Sequence, residues 1–578
     1  MQNPQAPEPT HTVHVDRNIP VPMRDGTVLC ADIYRPEAEG KYPVLVERVA
    51  YELTRRCKAN GEFFASRGYV FVGQNVRGAF GSEGQFIPFQ DDGWGANRDG
   101  YDTVEWAGVQ PWSSGSVGLV GGSYSGTAQY LALPTRPPHL KAAFIREGAS
   151  DAYRDCLFRN GAYQLQICRG WAMQNVLAFL QHRAAPETEA SRRRLEKAME
   201  EIENWLRHLP LKSCPPLEGL ADWHFSALDH PQDGPIWWEA NLSLRFSEAD
   251  TPVVHLGGWF DIALDSTLRS FQGIRKAGRS ETCRKAQRLV IGPWIHGPQN
   301  VGKQKVGELN FGPEAAYDLN AHRLAWYDHW LKGANNGVLD TPPVRVFLMG
   351  ENRWLDLEDW PPEGVAYRPA YLHEGTGRND ASLNNGRLTF TSPESTERPD
   401  SFVYDPDDPV PSLIVYPGGG PADHRSIEGR MLTYTSEALD TDLTVIGPVK
   451  AVLYGLSSVL DTDWVVRLCD VWPDGRSMPV CDGILRARYR DSLEHTELMI
   501  PQQIYRFEVD LWATAQVFKA GHRLRVQVTS SDFPRYDRNL NTGGPFGEEA
   551  RGVAAVNTVF HDAMRPSHLL LPVISPKE

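Results

Sequence analysis

The residues from Gly121 to Gly126 read Gly-Gly-Ser-Tyr-Ser-Gly, which is the pattern of a reactive serine on a tight turn. They follow the strand-like run from Ser116 to Val120 and precede a helix-like run, and such a turn exposes a serine hydroxyl at the end of a sheet. Small neighbours are needed because the backbone bends sharply and passes close to other elements. We therefore predict Ser123 as a nucleophile, with Ser125, one step into the helix, as the alternative.

A serine hydroxyl is a weak nucleophile at neutral pH, so it needs a base, and the base needs an acid to orient it. Both residue types follow Ser123 in the required order, each at the end of a strand-like run. The run from Val253 ends in Gly-Gly-Trp-Phe-Asp, and the run from Leu289 ends in Gly-Pro-Trp-Ile-His-Gly. We therefore predict Asp261 as the acid and His296 as the base.

Other titratable residues fit these roles less well. His255 lies inside a strand-like run, which favours a place in the core, and Asp265 lies in the helix that follows Asp261. His322 and His329 lie on one predicted helix, but the chain has no HExxH motif and no evident third ligand. We therefore predict no metal site, and acyl transfer by a serine, a histidine and an aspartate needs no organic cofactor.

Strands alternate with helices around these motifs, which predicts an α/β fold with a mostly parallel sheet covered on both faces. This pattern runs through residues 1–149 and resumes in residues 251–340. Residues 150–250 are rich in Trp, Arg, Leu and Glu with helical periodicity, which predicts a helical cap inserted into the core. Short alternating strands dominate residues 341–578, which predicts an all-β sandwich.

Local signals predict individual elements. The apolar face of Ser191 to Leu206 predicts an amphipathic helix. A helix from about Glu314 to Leu331 should stop at Lys332-Gly333, because glycine terminates helices well. The alternating run from Val344 to Met349 is predicted as a strand of the sandwich.

The composition narrows the class of protein. Of the 578 residues 41% are hydrophobic and 23% are charged, as in an ordinary folded chain, and a formal net charge of −14 disfavours a nucleic-acid partner. The first twenty residues hold no apolar run of signal-peptide length, and the longest uncharged stretch is too rich in Gly and Ser for a membrane helix. With eight scattered cysteines and no CxxC, we predict a cytoplasmic protein with reduced thiols and no membrane association.

These motifs together resemble the serine hydrolase family that includes cocaine esterase, α-amino-acid ester hydrolases and X-prolyl dipeptidyl peptidases. The resemblance covers nearly the whole chain, from about residue 17 to residue 575. The matching stretches are VPMRDGTVLCADIYRP, NVRGAFGSEGQF, DGYDTVEWAGVQPWSSGSVGLVGGSYSG, GGWFD, IGPWIHG, FVYDPDDPVPS and KAGHRLRVQVTSSDFPRYDRNLNTG.

The resemblance implies an α/β-hydrolase core with a helical cap insertion and a C-terminal jelly-roll-like β-sandwich. It implies a catalytic triad of Ser123, Asp261 and His296. It also implies an oxyanion hole made by the backbone N–H of Tyr124 and the hydroxyl of Tyr51, which follows the second core strand. A phenol hydroxyl suits this role, because it can donate a hydrogen bond to a developing oxyanion.

The chain departs from the family pattern at two places. Asn75 stands where the family often has Asp, and we expect this to alter a structural contact to Arg77. The α-amino-acid ester hydrolases carry two acidic residues shortly after the catalytic Asp, where this chain has Ile262-Ala263-Leu264. The missing acidic pair argues against recognition of a free α-amino group.

We therefore expect a carboxylic ester hydrolase that acts on a small-molecule ester through an acyl-enzyme. An X-Pro dipeptidyl peptidase or amidase acting on a short peptide with the same triad is the alternative. A non-catalytic ligand-binding protein is the alternative of another class. The candidate walls of the substrate pocket are Trp171, Trp259 and Phe260, and the sandwich should either cover one side of the site or support a homo-oligomer.

Overall fold

The computed structural model of the chain describes residues 6–183, 186–375, 381–414 and 419–574. The first part of the chain combines strands, many of them rich in Val, with helices, as predicted. Its strands are β1 (Val13–Pro22), β2 (Val28–Pro36), β3 (Tyr42–Val49), β4 (Val70–Asn75), β5 (Ser113–Gly122) and β6 (Leu140–Arg146). Its helices are α1 (Leu53–Ala65), α2 (Asp99–Gly108) and α3 (Tyr124–Ala132).

The segment after β6, which we call the cap, is mainly helical. The predicted helix from Ser191 to Leu206 forms in two pieces, because Glu201 leaves helical geometry at φ −105° and ψ 27°. The helices Leu165–Arg183 and Glu189–Glu200 pack against each other through buried Met173, Val176 and Leu195. The elements are the π-helical turn Ala152–Leu157, β7 (Phe158–Arg159), β8 (Ala162–Tyr163), α4 (Leu165–Arg183), α5 (Glu189–Glu200), α6 (Ile202–Arg207), α7 (Asp222–Asp229) and α8 (Pro235–Trp238).

The α/β pattern then resumes. Its strands are β9 (Val253–Gly258), β10 (Arg288–Gly292), β11 (Lys305–Val306), β12 (Leu309–Asn310), β13 (Val344–Leu348) and β14 (Arg353–Leu357). Its helices are α9 (Leu264–Ala277), α10 (Glu281–Lys285) and α11 (Leu319–Lys332). In the described part of the chain, no helix has both the length and the apolar character needed to cross a bilayer.

Helix α11 ends where the sequence predicted and begins later. Gly333 follows its last residue with a φ of 71°, a left-handed conformation that glycine adopts without strain. The start lies beyond Glu314 because the Asp318 side chain accepts a hydrogen bond from the N–H of Ala321 at 3.0 Å and caps the helix there.

The core is one ten-stranded sheet in the order β1-β2-β4-β3-β5-β6-β9-β10-β13-β14. The strands from β4 to β13 in this order run parallel, while β1, β2 and β14 are antiparallel additions at the two edges. Alternate residues enter separate clusters on the two faces: Val46 and Leu119 pack in one, Leu45 and Val120 in the other. The predicted α/β-hydrolase core is thereby confirmed.

The structure corrects the assignment of the run from Val344 to Met349. We expected it in the sandwich, but β13 pairs in parallel with β10, for example Val290 with Arg345, and so belongs to the core sheet. The alternation of Val344, Arg345 and Val346 indicates a strand but does not say which sheet the strand joins. The core sheet therefore extends to Leu357, past the boundary expected at residue 340.

The last part of the chain is mainly β, with a short helix α12 (Arg425–Glu428) and a 3₁₀ turn at Ala487–Tyr489, and its strands form one eleven-stranded sheet. Trp464 contacts Phe402 at a ring-centroid distance of 6.5 Å, although seven strands lie between the strands Asp463–Val471 and Asp400–Tyr404 that carry them. The sheet therefore folds over a shared core, which confirms the β-sandwich; its jelly-roll-like strand order stays a prediction. The strands are β15 (Ala366–His373), β16 (Gly386–Thr389), β17 (Asp400–Tyr404), β18 (Leu432–Thr435), β19 (Leu443–Ser457), β20 (Asp463–Val471), β21 (Ser477–Arg486), β22 (Tyr505–Phe518), β23 (Arg523–Thr529), β24 (Ala555–Phe560) and β25 (His568–Ile574).

A buried ion-pair network in the sandwich also holds the cap. Arg486 lies between Asp463 and Asp537, with nitrogen–oxygen distances of 2.9 Å to each. Asp537 also accepts a hydrogen bond at 2.7 Å from the backbone N–H of Tyr163 in the cap strand β8. These side chains are almost fully buried, so loss of one charge leaves its partner without compensation.

We predict that Asp537→Ala destabilises the protein by about 3–5 kcal/mol, because it leaves the buried Arg486 with half of its counter-charge. The matched control is Asp474→Ala, which removes an exposed carboxylate from the same sandwich and should change stability by less than about 0.5 kcal/mol. Urea unfolding followed by circular dichroism measures both. Equal unfolding midpoints for the two variants would show that the network does not stabilise the fold.

Candidate active site

Ser123 occupies a strained turn between β5 and α3. Its φ is 60°, a conformation that residues with a side chain rarely adopt and that is found mostly at functional sites. The neighbouring glycines allow this turn to pack tightly. A Cβ on Gly122 would lie 2.4 Å from the Arg146 guanidinium, and a Cβ on Gly126 would lie 2.9 Å from the Arg146 carbonyl oxygen. The turn therefore has the geometry that the motif predicts.

Ser125 and Tyr124 follow Ser123 but place their polar groups differently. Ser125 is fully buried, and its hydroxyl donates to the Glu47 carboxylate at 3.3 Å, so it faces away from the cavity described below. Tyr124 is the first residue of α3, and the first N–H groups of a helix have no intrahelical acceptor. The Tyr124 amide belongs to the residue after Ser123. It and the positive N-terminal end of α3 are therefore close to the Ser123 hydroxyl.

Ser123, His296 and Asp261 form one hydrogen-bonded chain. The Nδ1 atom of His296 lies 3.0 Å from Asp261 Oδ2, and Nε2 lies 2.8 Å from Ser123 Oγ. Because a carboxylate only accepts, Nδ1 carries the hydrogen and donates it, which leaves Nε2 free to accept the hydrogen of the serine hydroxyl. Asp261 is held in turn by the N–H of Ala263, which donates to its Oδ1 at 2.6 Å.

The loops that carry Asp261 and His296 are hydrogen-bonded to each other. The N–H of Trp259 donates to Gly292 O at 2.9 Å, and the N–H of Phe260 donates to Trp294 O at 3.1 Å. A Cβ on Gly258 would lie 2.2 Å from Trp294 O, so only glycine permits this approach. The motifs Gly-Gly-Trp-Phe-Asp and Gly-Pro-Trp-Ile-His therefore fix the two catalytic candidates through backbone contacts.

The surroundings of His296 change its proton affinity. Burial favours the neutral imidazole, but the negative charge and the hydrogen bond of Asp261 outweigh it, and a smaller effect of Glu147 adds to them. The pKa of His296 is therefore raised above its ordinary value of 6.5. This environment stabilises an imidazolium, which is the form that a base takes after accepting a proton.

Tyr51 is held by two hydrogen bonds at opposite ends. Its hydroxyl oxygen accepts from the indole N–H of Trp171 at 3.2 Å, and its carbonyl oxygen accepts from Asn75 Nδ2 at 2.7 Å. Because Trp171 supplies the donor, the hydrogen of the Tyr51 hydroxyl is available for another acceptor. Tyr51 and Ser123 both line the same cavity.

A cavity of about 470 Å³ lies between the core and the cap, and Ser123 and His296 open onto it. This is the size range of pockets that enclose small organic ligands. The core contributes Phe89 and Tyr124 to its wall, and the cap contributes Trp171, Trp223 and Trp237. The wall is thus mainly aromatic and aliphatic, and Trp171 lies where we predicted a pocket residue.

Comparison with known proteins follows the same division of the chain. Residues 25–298 match the family model of the X-Pro dipeptidyl-peptidase (S15 family), and residues 336–570 match that of the X-Pro dipeptidyl-peptidase C-terminal non-catalytic domain. Cocaine esterase from Rhodococcus sp. (strain MB1 Bresler) is 37% identical over 581 residues, which cover 97% of this chain and 98% of that protein. The chain belongs to this family of serine hydrolases.

Solved structures support the family and its fold. An α-amino acid ester hydrolase is similar with a TM-score of 0.78 and 27% identity, over 98% of both chains. An aminopeptidase from the marine sediment archaeon Thaumarchaeota archaeon is similar with a TM-score of 0.80 and 25% identity, over 99% of this chain and 98% of that one. The similarity therefore includes the cap and the sandwich as well as the core.

The structure corrects two of the predicted pocket residues. Trp259 is buried between the core and the sandwich, where its indole N–H donates to Phe347 O at 2.7 Å and its ring packs on Trp360. Phe260 packs near Phe311, with 6.2 Å between ring centroids. Neither lines the cavity at Ser123, because the backbone of their loop turns both rings away from it, while Asp261 lies buried behind His296.

The rival titratable residues have structural partners. His255 is fully buried in β9, between the Tyr130 hydroxyl at 2.7 Å and the Gln287 side chain at 2.9 Å. Asp265 lies on α9 and pairs with Arg269. Among the described residues, one group of His, Cys, Asp and Glu side chains is compact enough to hold a metal ion. It consists of Glu147, Asp261 and His296. Its ring nitrogen and carboxylates already hydrogen-bond one another and backbone amides.

The sequence reasoning missed the roles of two polar residues near the site. Asn75 was expected to alter a contact to Arg77, but it holds the Tyr51 backbone, while Arg77 pairs with Asp99. Glu147 was not considered, although it follows the carboxyl end of β6 and lines the cavity. The strand-end rule that found Asp261 applied equally to Glu147, so that signal was present in the sequence.

Proposed function

We propose that this hydrolase cleaves carboxylic esters of small molecules through an acyl-enzyme on Ser123. The observation that carries the proposal is the continuous hydrogen-bonded chain from Ser123 Oγ through His296 to Asp261, at 2.8 Å and 3.0 Å, at the floor of an apolar cavity. The 37% identity to cocaine esterase supports the ester as the bond that is cleaved.

In the first step Ser123 Oγ bonds to the ester carbonyl carbon, its proton passes to His296 Nε2, and the carbonyl electron pair moves onto the oxygen. The Tyr51 hydroxyl and the Tyr124 amide donate to this oxyanion, and each such donor contributes about 3 kcal/mol at comparable sites. The carbon–oxygen bond to the alcohol then breaks, and the alkoxide takes the proton from His296. Water repeats the sequence, which releases the acid and restores the serine.

The charges in the cavity favour an ester without a free α-amino group. Ile262 and Ala263 line the cavity wall. They stand where the α-amino-acid ester hydrolases have two acidic residues after the aspartate. Asp155 also lines the cavity, but Arg269 binds both of its oxygens at 2.7 Å. Burial alone would raise the pKa of Asp155, yet the Arg269 charge outweighs it and lowers that pKa, so the carboxylate is already neutralised by a cation.

An X-Pro dipeptidyl peptidase is the second candidate, because the family model over residues 25–298 describes that activity. A peptidase of this kind must hold the N-terminal ammonium of its substrate. Asp222 lies exposed at the cavity rim and is a carboxylate that such an ammonium could reach. The choice between the two candidates therefore depends on whether an uncharged ester or a charged dipeptide is turned over faster.

We predict that Ser123→Ala lowers the turnover of p-nitrophenyl esters by about 10⁴-fold or more, because it removes the nucleophile. Ser125→Ala is the matched control and should retain activity, since that hydroxyl faces Glu47. Faster cleavage of X-Pro-p-nitroanilides than of esters, lost in the Ser123 variant, would move the assignment to a peptidase. Full activity of Ser123→Ala would contradict the proposed nucleophile, and failure of wild type to react with a fluorophosphonate would indicate a binding protein.

The pH profile tests the base. We predict that kcat/KM rises with pH through a pKa above 6.5, because His296 accepts a proton only when neutral and its pKa is raised. Asp261→Asn should lower kcat about 10³- to 10⁴-fold and move the acidic limb to lower pH, since it removes the charge that raises this pKa. Asp265→Asn, on the adjacent helix, should leave the limb in place. An unshifted limb in Asp261→Asn would exclude this aspartate as the partner of the base.

A substitution at Trp171, which donates a hydrogen bond to the Tyr51 hydroxyl, tests the proposed role of Tyr51 as an oxyanion donor. We predict that Trp171→Phe lowers kcat about 10-fold with little change in KM, because Phe keeps the apolar wall but cannot donate to the Tyr51 hydroxyl. Trp223→Phe is the control, since this ring lines the same cavity and packs 5.6 Å from Trp171. Steady-state kinetics on one ester decide. Equal effects of the two variants on kcat would mean that Trp171 acts only as a wall.

A further inference from the structure

A second carboxylate lies beside the base and is not used by the triad. Glu147 follows β6, the strand between β5, which leads to the nucleophile, and β9, which leads to the acid. Its side chain is fully buried, yet it lines the cavity onto which Ser123 opens. A buried carboxylate costs free energy unless neighbouring groups compensate its charge. The groups that contact Glu147 therefore indicate what it does.

Glu147 contacts the base and the loop that carries it. Its Oε2 atom accepts a hydrogen bond from the N–H of Gly297, the residue after the base, at 2.8 Å. The same oxygen lies 3.9 Å from His296 Nδ1, the nitrogen that donates to Asp261. Two carboxylates of different strands therefore face the same imidazole nitrogen, one in direct contact and one just beyond hydrogen-bond distance.

The backbone of Glu147 is held in place for this contact. Its φ is 51°, in the left-handed region that costs a residue with a side chain about 1 kcal/mol or more. Its N–H donates to Leu256 O of β9 at 2.8 Å, so the strained residue is tied to the strand that leads to Asp261. Backbone strain of this kind persists mostly where a side chain must be aimed at a functional group.

The charges around the imidazole balance only when it is protonated. The groups that face it are Asp261 from the loop after β9, Glu147 and Arg146 from the end of β6, and the Ser123 hydroxyl. Arg146 pairs with Glu147 and offsets one of the two negative charges. The remaining negative charge is offset when His296 gains the serine proton. The cluster is therefore matched to the imidazolium, not to the neutral ring.

We propose that Glu147 is a positioning residue for the base: it fixes the His296 loop through Gly297 and, with Asp261, stabilises the imidazolium formed during acyl transfer. The proton passes from Ser123 to His296 and on to the leaving alcohol, and Glu147 neither gains nor loses one. This inference rests on the proposed function and adds a fourth member to its acid–base network.

Two substitutions separate the anchoring contact from the charge. Glu147→Gln keeps an oxygen that accepts from Gly297 but removes the charge, so kcat should fall about 10-fold and the acidic limb of kcat/KM should move about one unit to lower pH. Glu147→Asp keeps the charge but shortens the side chain, so kcat should fall while the limb stays near its wild-type position. Turnover of one p-nitrophenyl ester between pH 5 and 9 measures both effects, on the full chain.

The control is Glu428→Gln, which removes a buried carboxylate paired with Arg525 in the sandwich, far along the chain from the base. It should leave the pH profile unchanged. If Glu147→Gln keeps the wild-type kcat and an unshifted acidic limb while Ser123→Ala is inactive, the role of Glu147 is overturned. The proposed nucleophile is then unaffected. Full activity of Ser123→Ala would overturn the triad itself. If Glu147→Gln does not fold, the limb and kcat of Glu147→Asp decide: wild-type values for both would also overturn the proposal.

Discussion

The site depends on one constraint, the shared register of four adjacent parallel strands. Gly122 of β5 pairs with Arg146 of β6, Arg146 pairs with Leu256 of β9, and Gly258 of β9 pairs with Gly292 of β10. Because the register is aligned, the four loops leave the sheet at the same height and along the same edge. Ser123, Glu147, Asp261 and His296 each come from one of these loops. A slip of one residue in any strand would turn its side chain to the other face.

Aligned strand ends bring like charges together, and the structure must compensate for that. Glu147 and Asp261 both lie next to His296. Burial raises the pKa of Glu147, and the nearby negative charge of Asp261 adds to this effect. Arg146 opposes it from the same strand end, although burial lowers the pKa of this guanidinium. Such an arrangement is a poor way to stabilise a fold, because removing ions from water costs more than most buried pairs return. It is a good way to hold an environment that favours a protonated histidine.

The hydrogen-bonded chain of Ser123, His296 and Asp261 could be anticipated from the sequence, because the chemistry proposed for it fixes the residue types, their order and their places at strand ends. The sequence did not reveal which way a loop side chain points. Trp259 and Phe260 directly precede Asp261, yet their loop sends both rings away from the cavity, toward Phe347 and Phe311. The strand at Val344–Leu348 was misassigned for a related reason, since alternating hydrophobicity indicates a strand but not the sheet that it joins. Such choices depend on contacts between elements distant in sequence, and a single sequence does not display them.

The sandwich affects the cavity without forming its wall. Among the described residues, those that line the cavity belong to the core and the cap, which agrees with a C-terminal domain that the family model describes as non-catalytic. Yet Asp537 of the sandwich accepts from the N–H of Tyr163, and Tyr163 is a wall residue. Arg538 donates to the Arg207 carbonyl of the cap at 2.6 Å. The late motif that contains Asp537 and Arg538 therefore has a physical role: it holds the cap, and the position of the cap sets the distance between the aromatic wall and Ser123.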